Sequence, residues 1–242
     1  MFWRKQKAAI AGFPPLHQAL IHERGFTATM PADAWTALAA SLGRHTALVR
    51  RPKWALPRRT LDVLVPLLQE VCSDLGRKGM LTVTADLRGP QAPGKTTPSR
   101  DLQVRPPVKS AVETWTIDPW LRLRAELRDG SVLDVLVVDR ERTRRVTKRN
   151  PRGKTKVKRK TKQVQIIKVR RRLPENGASV RPPTAPPRWI TVHVREGRRR
   201  SILAGAKIDR MPNSAEEQLD RILTVATEPF RWTPQTTAGG AR

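Results

Sequence analysis

Phosphate binding is the chemistry that the residue types of this sequence suggest first. Residues 140–172 contain seventeen lysines and arginines against a single acid, Glu141. Ammonium and guanidinium groups bind phosphate oxygens strongly, and a charge excess this dense is typical of a polyanion-binding segment. The candidate nucleic-acid-binding residues, three of which lie in a later arginine-rich turn, are Arg142, Arg144, Arg145, Lys148, Arg149, Arg152, Lys154, Lys156, Lys158, Arg159, Lys160, Lys162, Arg198, Arg199 and Arg200.

A second phosphate-binding pattern, G-x-x-x-x-G-K-[ST], occurs at residues 89–96. The motif binds nucleotides only when the loop amides are free and a helix begins at the lysine. Pro93 removes one amide donor, and Pro98 interrupts any helix that would begin at Lys95. We therefore interpret residues 89–107 as a flexible loop, and a nucleotide-binding enzyme is the weaker alternative.

The other reactive residue types form no catalytic or metal-binding pattern. The four histidines lack the spacing of a metal site, and the single cysteine, Cys72, excludes a cysteine-rich zinc site and an intramolecular disulfide. Asp118 and Asp134 lie in predicted strands, where ion pairs with nearby arginines are the expected use. We predict a protein that is not an enzyme, with no catalytic residues, no metal and no cofactor.

A long β-hairpin is predicted to position the basic segment. Residues 150–153 read Asn-Pro-Arg-Gly, which is the residue order of a type I turn. If the first residue of this turn closes on the fourth, Val146 lies opposite Val157, and Val137 lies opposite Ile166. From residue 139 to residue 150 such an arm would reach about 35–40 Å at ~3.3 Å per residue.

Strand alternation then predicts where the charge lies. In this register the lysines at even positions from 154 to 162 share one face with Arg145 and Arg149. Like charges placed opposite one another destabilise a sheet, and an isolated two-stranded ribbon is only marginally stable. We therefore expect the outer half of the arm to be frayed until an anion neutralises it.

The patterning of the whole chain predicts an α+β protein: a helical N-terminal part, an antiparallel β body that carries the basic hairpin, and a C-terminal helix. The expected regions are helical residues 1–78, an antiparallel β domain at 79–212 with a basic hairpin arm at 139–165, and a C-terminal helix with a disordered tail at 213–242. Within the β domain, Asp129-Gly130 predicts a two-residue hairpin turn, which would place Leu123 opposite Leu136.

Two further elements complete the expected body. Residues 189–194 and 201–204 predict a hairpin that carries the arginines at 198–200 on its turn, and the two basic tips are expected to clamp phosphates together. Ser214 and Glu217 have the spacing of a capping box and predict that a helix begins there.

Composition favours nucleic acid as the partner. The net charge is +27 and the isoelectric point is near 11.7, which promotes association with any polyanion. No transmembrane segment is predicted, and we expect a cytoplasmic, bacterial protein that binds DNA or RNA largely without sequence preference. The alternative is a structural or assembly protein whose basic arm anchors in an acidic partner, as in a ribonucleoprotein or phage-like particle. Binding to an anionic membrane surface through Trp3 and the adjacent basic residues also stays open.

Overall fold

The fold is organised around one antiparallel sheet. The computed structural model describes residues 2–76, 78–149 and 152–234. The strands are β1 (Gly25–Pro31), β2 (Met80–Asp86), β3 (Arg100–Asp101), β4 (Val108–Glu126), β5 (Val132–Arg149), β6 (Thr155–Arg172), β7 (Ile190–Arg195) and β8 (Ser201–Ile208). Their lateral order is β1-β2-β4-β5-β6-β8-β7, and β3 pairs with β4. The predicted mixed α+β class with an antiparallel sheet is confirmed.

Helices cover one face of this sheet. They are α1 (Phe2–Ala11), α2 (Pro15–His22), α3 (Ala32–Gly43), α4 (His45–Leu48), α5 (Val65–Asp74) and α6 (Ala215–Thr227). Apolar residues of α3, α5 and α6 share one buried cluster with Leu123, Val135 and Ile167 of the central strands. The indole Nε1 of Trp35 donates to the carbonyl oxygen of Leu81 at 2.8 Å, which fixes α3 on β2.

The N-terminal region is not wholly helical, contrary to the prediction for residues 1–78. Residues 25–31 form β1, which pairs with β2 along its whole length. Phe26, Ala28 and Met30 pack on the core, whereas Thr27 and Thr29 hydrogen-bond to Thr84 and Thr82 on the other face. This period-two alternation is the strand signal, and the helical segments on either side concealed it. The boundaries of the three predicted regions stay predictions.

The β4–β5 hairpin has a register one residue away from the predicted one. Leu123 lies opposite Val135, and Leu136 lies opposite Arg122. The cause is a longer turn: Leu127 N donates to Ser131 O at 2.9 Å, and Gly130 takes the left-handed conformation with φ of 76°. Leu136 is therefore on the face away from the helices, together with Arg122.

The predicted C-terminal hairpin and C-terminal helix are present in the structure. β7 and β8 pair from Ile190 to Arg195 as a hairpin. Ser214 Oγ accepts a hydrogen bond from Glu217 N at 3.1 Å, so α6 begins at the predicted cap. The predicted disordered tail falls largely on residues 235–242, which lie outside the described residues.

The sheet thus has two different faces. The core face is the one that α3, α5 and α6 cover, and it carries Leu133, Val135 and Val137 of β5. The open face carries the alternate residues of the same strand, including Asp134 and Leu136. The strand residues of the basic segment, 140–149 and 155–172, each point to one of the two sides of the sheet.

Candidate nucleic-acid interface

The outer parts of β5 and β6, which carry the basic segment, are joined by a third strand, because β4 pairs with β5 along this length. We call the three strand segments together the arm: residues 108–118 of β4, 139–149 of β5 and 155–164 of β6. β4 pairs with β5 as far out as Val108 and Lys148. Residues 155–164 of β6 form an open edge, because β8 pairs with β6 only from Gln165 to Arg172. The third strand supports the arm, and the expected lone ribbon is corrected on this point.

The loop before β4 adds a further support at the base of the arm. Thr97 N donates to Trp115 O at 2.8 Å, and Leu102 N donates to Ala111 O at 2.8 Å. β3 also pairs with β4 here. The segment that was predicted to be a flexible loop therefore lies along the outer edge of β4 and shields its backbone from other strands.

The register of the β5–β6 hairpin differs by one residue from the predicted register. Val146 lies opposite Lys158, and Val137 lies opposite Ile167. The last pair is Arg149 with Thr155, so five residues rather than four connect the strands. Asn150 and Pro151, on which the turn prediction rested, lie outside the described residues. A one-residue shift exchanges the faces of every side chain on one strand relative to the other.

The register shift changes which side chains of β5 share a face with the lysine row, the lysines at 156, 158, 160 and 162 of β6. We define the basic face as the arm face that is continuous with the open face of the body. Its cations, read from the pairing of β5 and β6, are Arg140, Arg142, Arg144, Lys148, Lys156, Lys158, Lys160 and Lys162. Arg145 and Arg149 were predicted to join the lysines, but with Arg159 they lie on the opposite face. There Arg145 and Arg159 line a groove of about 420 Å³.

Cations face cations across the outer half of the arm. Lys148 lies directly opposite Lys156, Arg144 opposite Lys160, and Arg145 opposite Arg159. All residues of β6 from 155 to 163 are exposed. Within the described part of the chain, Lys156, Lys158 and Lys160 have no carboxylate partner. Opposed like charges repel by about 1 kcal/mol at 4 Å in water, so an anion on this face would relieve the repulsion.

From Arg144 toward the base of the arm the composition changes, since acids accompany the arginines. Arg144 Nη2 donates to Glu113 Oε2 at 2.9 Å, and Arg142 Nε lies 3.8 Å from the same oxygen. The hydrogen bond from Arg144 holds the pKa of Glu113 below its usual range. Toward the inner end of the basic face, Lys162 Nζ lies 3.3 Å from Asp209.

Trp115 is a basic-face residue that sequence reasoning did not select. Its ring lies 4.9 Å from the Arg140 guanidinium and 5.8 Å from that of Arg142. Its Nε1 donates to Glu113 Oε1 at 3.1 Å. Cation–π contacts of this kind fix arginine side chains in place. Sequence reasoning could have selected Trp115 from its position opposite Arg142, but only with the β4–β5 register already known.

Lys95 of the apparent phosphate loop belongs to a buried ion cluster. Its Nζ donates to Asp118 Oδ1 at 2.6 Å and lies 3.0 Å from Asp86 Oδ2. Burial raises the pKa of Asp118, although Lys95 opposes this, and the hydrogen bond from Arg88 holds the pKa of Asp86 well below its usual range. No helix begins at Lys95, which the structure describes together with the whole of residues 89–107.

A second, partly buried ion pair lies beside this cluster. Arg59 Nη2 donates to Asp139 Oδ2 at 2.6 Å, and Gln165 Nε2 donates to Asp139 Oδ1 at 2.9 Å. Asp139 is paired directly with Asp118 across β4 and β5. Asp118 and Asp139 thus each have their own cation, Lys95 and Arg59. These ion pairs neutralise the two carboxylates where β4 and β5 pass from the body into the arm.

The second basic tip lies at the other end of the sheet. Ser201 of β8 pairs with Arg172, whereas the arm turn precedes Thr155 at the opposite end of β6. Over the length of β6 (18 residues), this is a separation of about 55–60 Å at ~3.3 Å per residue. Arg198 pairs with Glu175 at 3.2 Å, and Arg200 pairs with Glu196 at 2.7 Å. Arg198, Arg199 and Arg200 are therefore not brought together with the arm, and the expected two-tip clamp is wrong.

The remaining candidates lie near the arm turn. Arg152 is exposed, and Arg149 Nε donates to the carbonyl oxygen of Gly153 at 3.3 Å. Lys154 is likewise exposed. Among the described residues, no group of acids, histidines and cysteine could hold a metal ion, and no helix is long and apolar enough to cross a bilayer.

Comparison with known proteins identifies no relative: no family model, curated protein or solved structure matches this chain.

Proposed function

We propose that this protein binds nucleic acid through the basic face of the arm, largely without sequence preference. The observation that carries the proposal is that Lys148 lies directly opposite Lys156, with Lys160 farther along the same row, and that all three are exposed and have no carboxylate partner in the described part of the chain. Charge placed this way opposes folding of the hairpin unless a polyanion neutralises it. Nucleic acid supplies closely spaced phosphates along an extended line.

The spacing of the lysine row suits a phosphate backbone. Alternate residues of a strand are about 6.6 Å apart, so the four lysines from 156 to 162 span about 20 Å. They lie on one exposed edge strand that no other described strand covers. A backbone lying along β6 would therefore meet several ammonium groups in succession, and affinity would depend steeply on salt.

Weak sequence preference follows from the residue types on the basic face. Lysine and arginine contacts to phosphate fix position without reading the bases. The side-chain amide nearest this row, Gln163 Nε2, donates to Glu141 Oε2 at 2.7 Å and is therefore already engaged. Gln165 is buried. Both DNA and RNA fit this mode of contact.

The test is a pair of variants that remove equal charge from the two basic tips. Replacing Lys156, Lys158 and Lys160 by glutamine should lower the salt slope, −d log K/d log[salt], by about 2.7, because three counterions are no longer released. Affinity at ~0.1 M salt should fall about a hundredfold, since three contacts of ~1 kcal/mol each are lost. Anisotropy titrations with duplex DNA, single-stranded DNA and RNA at several salt concentrations measure both quantities.

The matched control replaces Arg198, Arg199 and Arg200 by glutamine. This variant loses the same charge from the far end of the sheet and should change the affinity less than threefold. Equal losses in the two variants would show that binding depends on net charge alone, and no loss in the arm variant would exclude the arm as the binding element. In that case, anchoring of the arm in an acidic partner becomes the better explanation.

A further inference from the structure

A broad hollow of about 930 Å³ lies on the open face of the body, beside the arm. Its lining runs across six strands from β2 to β7, and it includes Gly205 of β8, which pairs with Lys168 on one side and Thr191 on the other. A Cβ atom built at Gly205 would meet only the Ile167 carbonyl oxygen, at 3.9 Å. Gly205 therefore leaves room within the hollow for a larger side chain.

The floor of the hollow is apolar. Leu136, Ile166 and Leu203 line it and are each only partly buried. They lie on the open face, where the described residues place no helix over them. The lining residues include neither phenylalanine nor tryptophan, and His193 of β7 is the one aromatic ring among them, so the floor offers mainly apolar contact to a ligand.

The rim of the hollow is cationic. Arg122, Arg124 and Lys207 lie around the floor, Lys168 and Arg170 of β6 stand within it, and Asp134 is the one acid that lines it. Asp134 Oδ2 accepts from Arg170 Nη2 at 2.7 Å, and Asp134 Oδ1 lies 3.8 Å from Arg124. Within the described residues, Arg122, Lys168 and Lys207 have no ion pair and are exposed. The rim therefore has positive charge available for a ligand.

We propose that this hollow docks an acidic amphipathic helix of a partner protein. Apolar side chains interleaved with cations complement a helix that carries both an apolar stripe and carboxylates. The strands β4, β5, β6 and β8 are about 4.8 Å apart and span about 15 Å, enough for one helix of ~10 Å diameter. The opposite face of the same sheet already packs against helices in this way.

Other occupants match this surface less well. A nucleic-acid backbone would contact the rim but would leave Leu136, Ile166 and Leu203 against a charged, hydrated ligand. A second copy of this chain would bring its own net charge of +27 toward a cationic rim. The helix α6 has acids in its first turn, but its apolar residues are buried in its own core.

The test uses a fifteen-residue synthetic peptide with leucine at helical spacing and glutamate on the flanks, and a scrambled peptide of the same composition. Both are titrated by anisotropy at ~0.15 M salt against the Lys156/Lys158/Lys160→Gln protein, in which non-specific attraction by the arm is reduced. We expect the amphipathic peptide to bind at least tenfold more tightly than the scrambled one. Equal binding of the two peptides would overturn the proposal.

Filling the hollow provides the structural control. Gly205→Leu should weaken amphipathic-peptide binding at least tenfold, whereas Gly205→Ala, which adds only the Cβ atom, should change it less than threefold. If Gly205→Leu does not fold, Lys168→Glu with Lys207→Glu replaces it and should also abolish the preference. Unchanged binding in the filled or charge-reversed protein would overturn the proposal, as would displacement of the peptide by duplex DNA.

Discussion

The base and the outer half of the arm use the same three strands but treat charge in opposite ways. At the base, Lys95 contacts two carboxylates and Arg59 pairs with Asp139, so each buried charge has a partner. In the outer half, Lys148 lies opposite Lys156 and no carboxylate accompanies them in the described structure. The charges at the base therefore stabilise the fold, whereas Lys148 and Lys156 in the outer half have no such partner among the described residues.

This difference means that charge density alone does not identify a binding surface. The β7–β8 turn is as rich in arginine as the arm, yet Glu175 and Glu196 accept from two of its three arginines. The position of the acids distinguishes the two tips. An acid that is distant in sequence, such as Glu175 for Arg198, is not evident from the local sequence, and it decides whether a cation is already paired within the protein.

Among substitutions that test this difference, we expect the largest effect on the free energy of unfolding at the base of the arm. Lys95→Met should lower the free energy of unfolding by about 3–5 kcal/mol, because it leaves buried Asp118 without its cation. Lys160→Met, on the exposed row, should change it by less than about 0.5 kcal/mol. Urea unfolding measures both variants. Similar midpoints for the two would mean that the Lys95 cluster does not hold the arm base.

We expect acid to lower the stability of the folded protein through His17 in the N-terminal helices. His17 is buried and stacks on Phe13. Its ring nitrogens form hydrogen bonds with Ser41 Oγ at 2.9 Å and with His45 Nδ1 at 3.0 Å. Burial, and to a smaller extent His45, lowers the pKa of His17 to about 4. Its pKa in the unfolded chain is near 6.5. The neutral form therefore favours the folded state, and its contribution is complete above pH 6.5 and declines as the pH falls toward 4.

We expect the stability to drop by about 2 kcal/mol between pH 7.5 and pH 5, because protonation at ~1.4 kcal/mol per pH unit favours unfolding. His17→Gln should be less stable at pH 7.5 but should lose less on acidification. A wild-type midpoint that is constant from pH 7.5 to 5 would contradict this assignment.

Alternation along the chain predicted much of this fold. The strands around the Asp129-Gly130 turn, the β7–β8 hairpin and the cap at Ser214 each follow from residues that are close in sequence. β1 was missed because its seven residues lie between helices. The partners of Lys95 and the position of Trp115 required contacts between distant strands, which a single sequence does not specify.

The main error of the sequence-based prediction was the strand register of the two hairpins, and its cause is local turn geometry. Both hairpins were predicted with turns one residue too short, which shifts each pairing by one position. Hydrophobic patterning does not correct such an error in the arm, because both of its faces are polar and exposed. The consequence is specific: the predicted register puts Val146 opposite Val157, away from the lysine row, whereas the structure puts Val146 opposite Lys158 on the basic face.

A pair of glutamate substitutions distinguishes the two registers and the two faces. Val146→Glu would place a carboxylate opposite Lys158, stabilise the hairpin by about 0.2–1 kcal/mol and weaken DNA binding about tenfold, or ~1.4 kcal/mol. Val157→Glu changes the net charge equally but lies opposite Thr147 on the other face, so it should weaken binding only about two- to threefold, by roughly 0.4–0.65 kcal/mol. Anisotropy titration at fixed salt gives both values. A larger loss for Val157→Glu would assign binding to the opposite face, with Arg145 and Arg159, and equal losses would mean that the ligand contacts both faces of the arm.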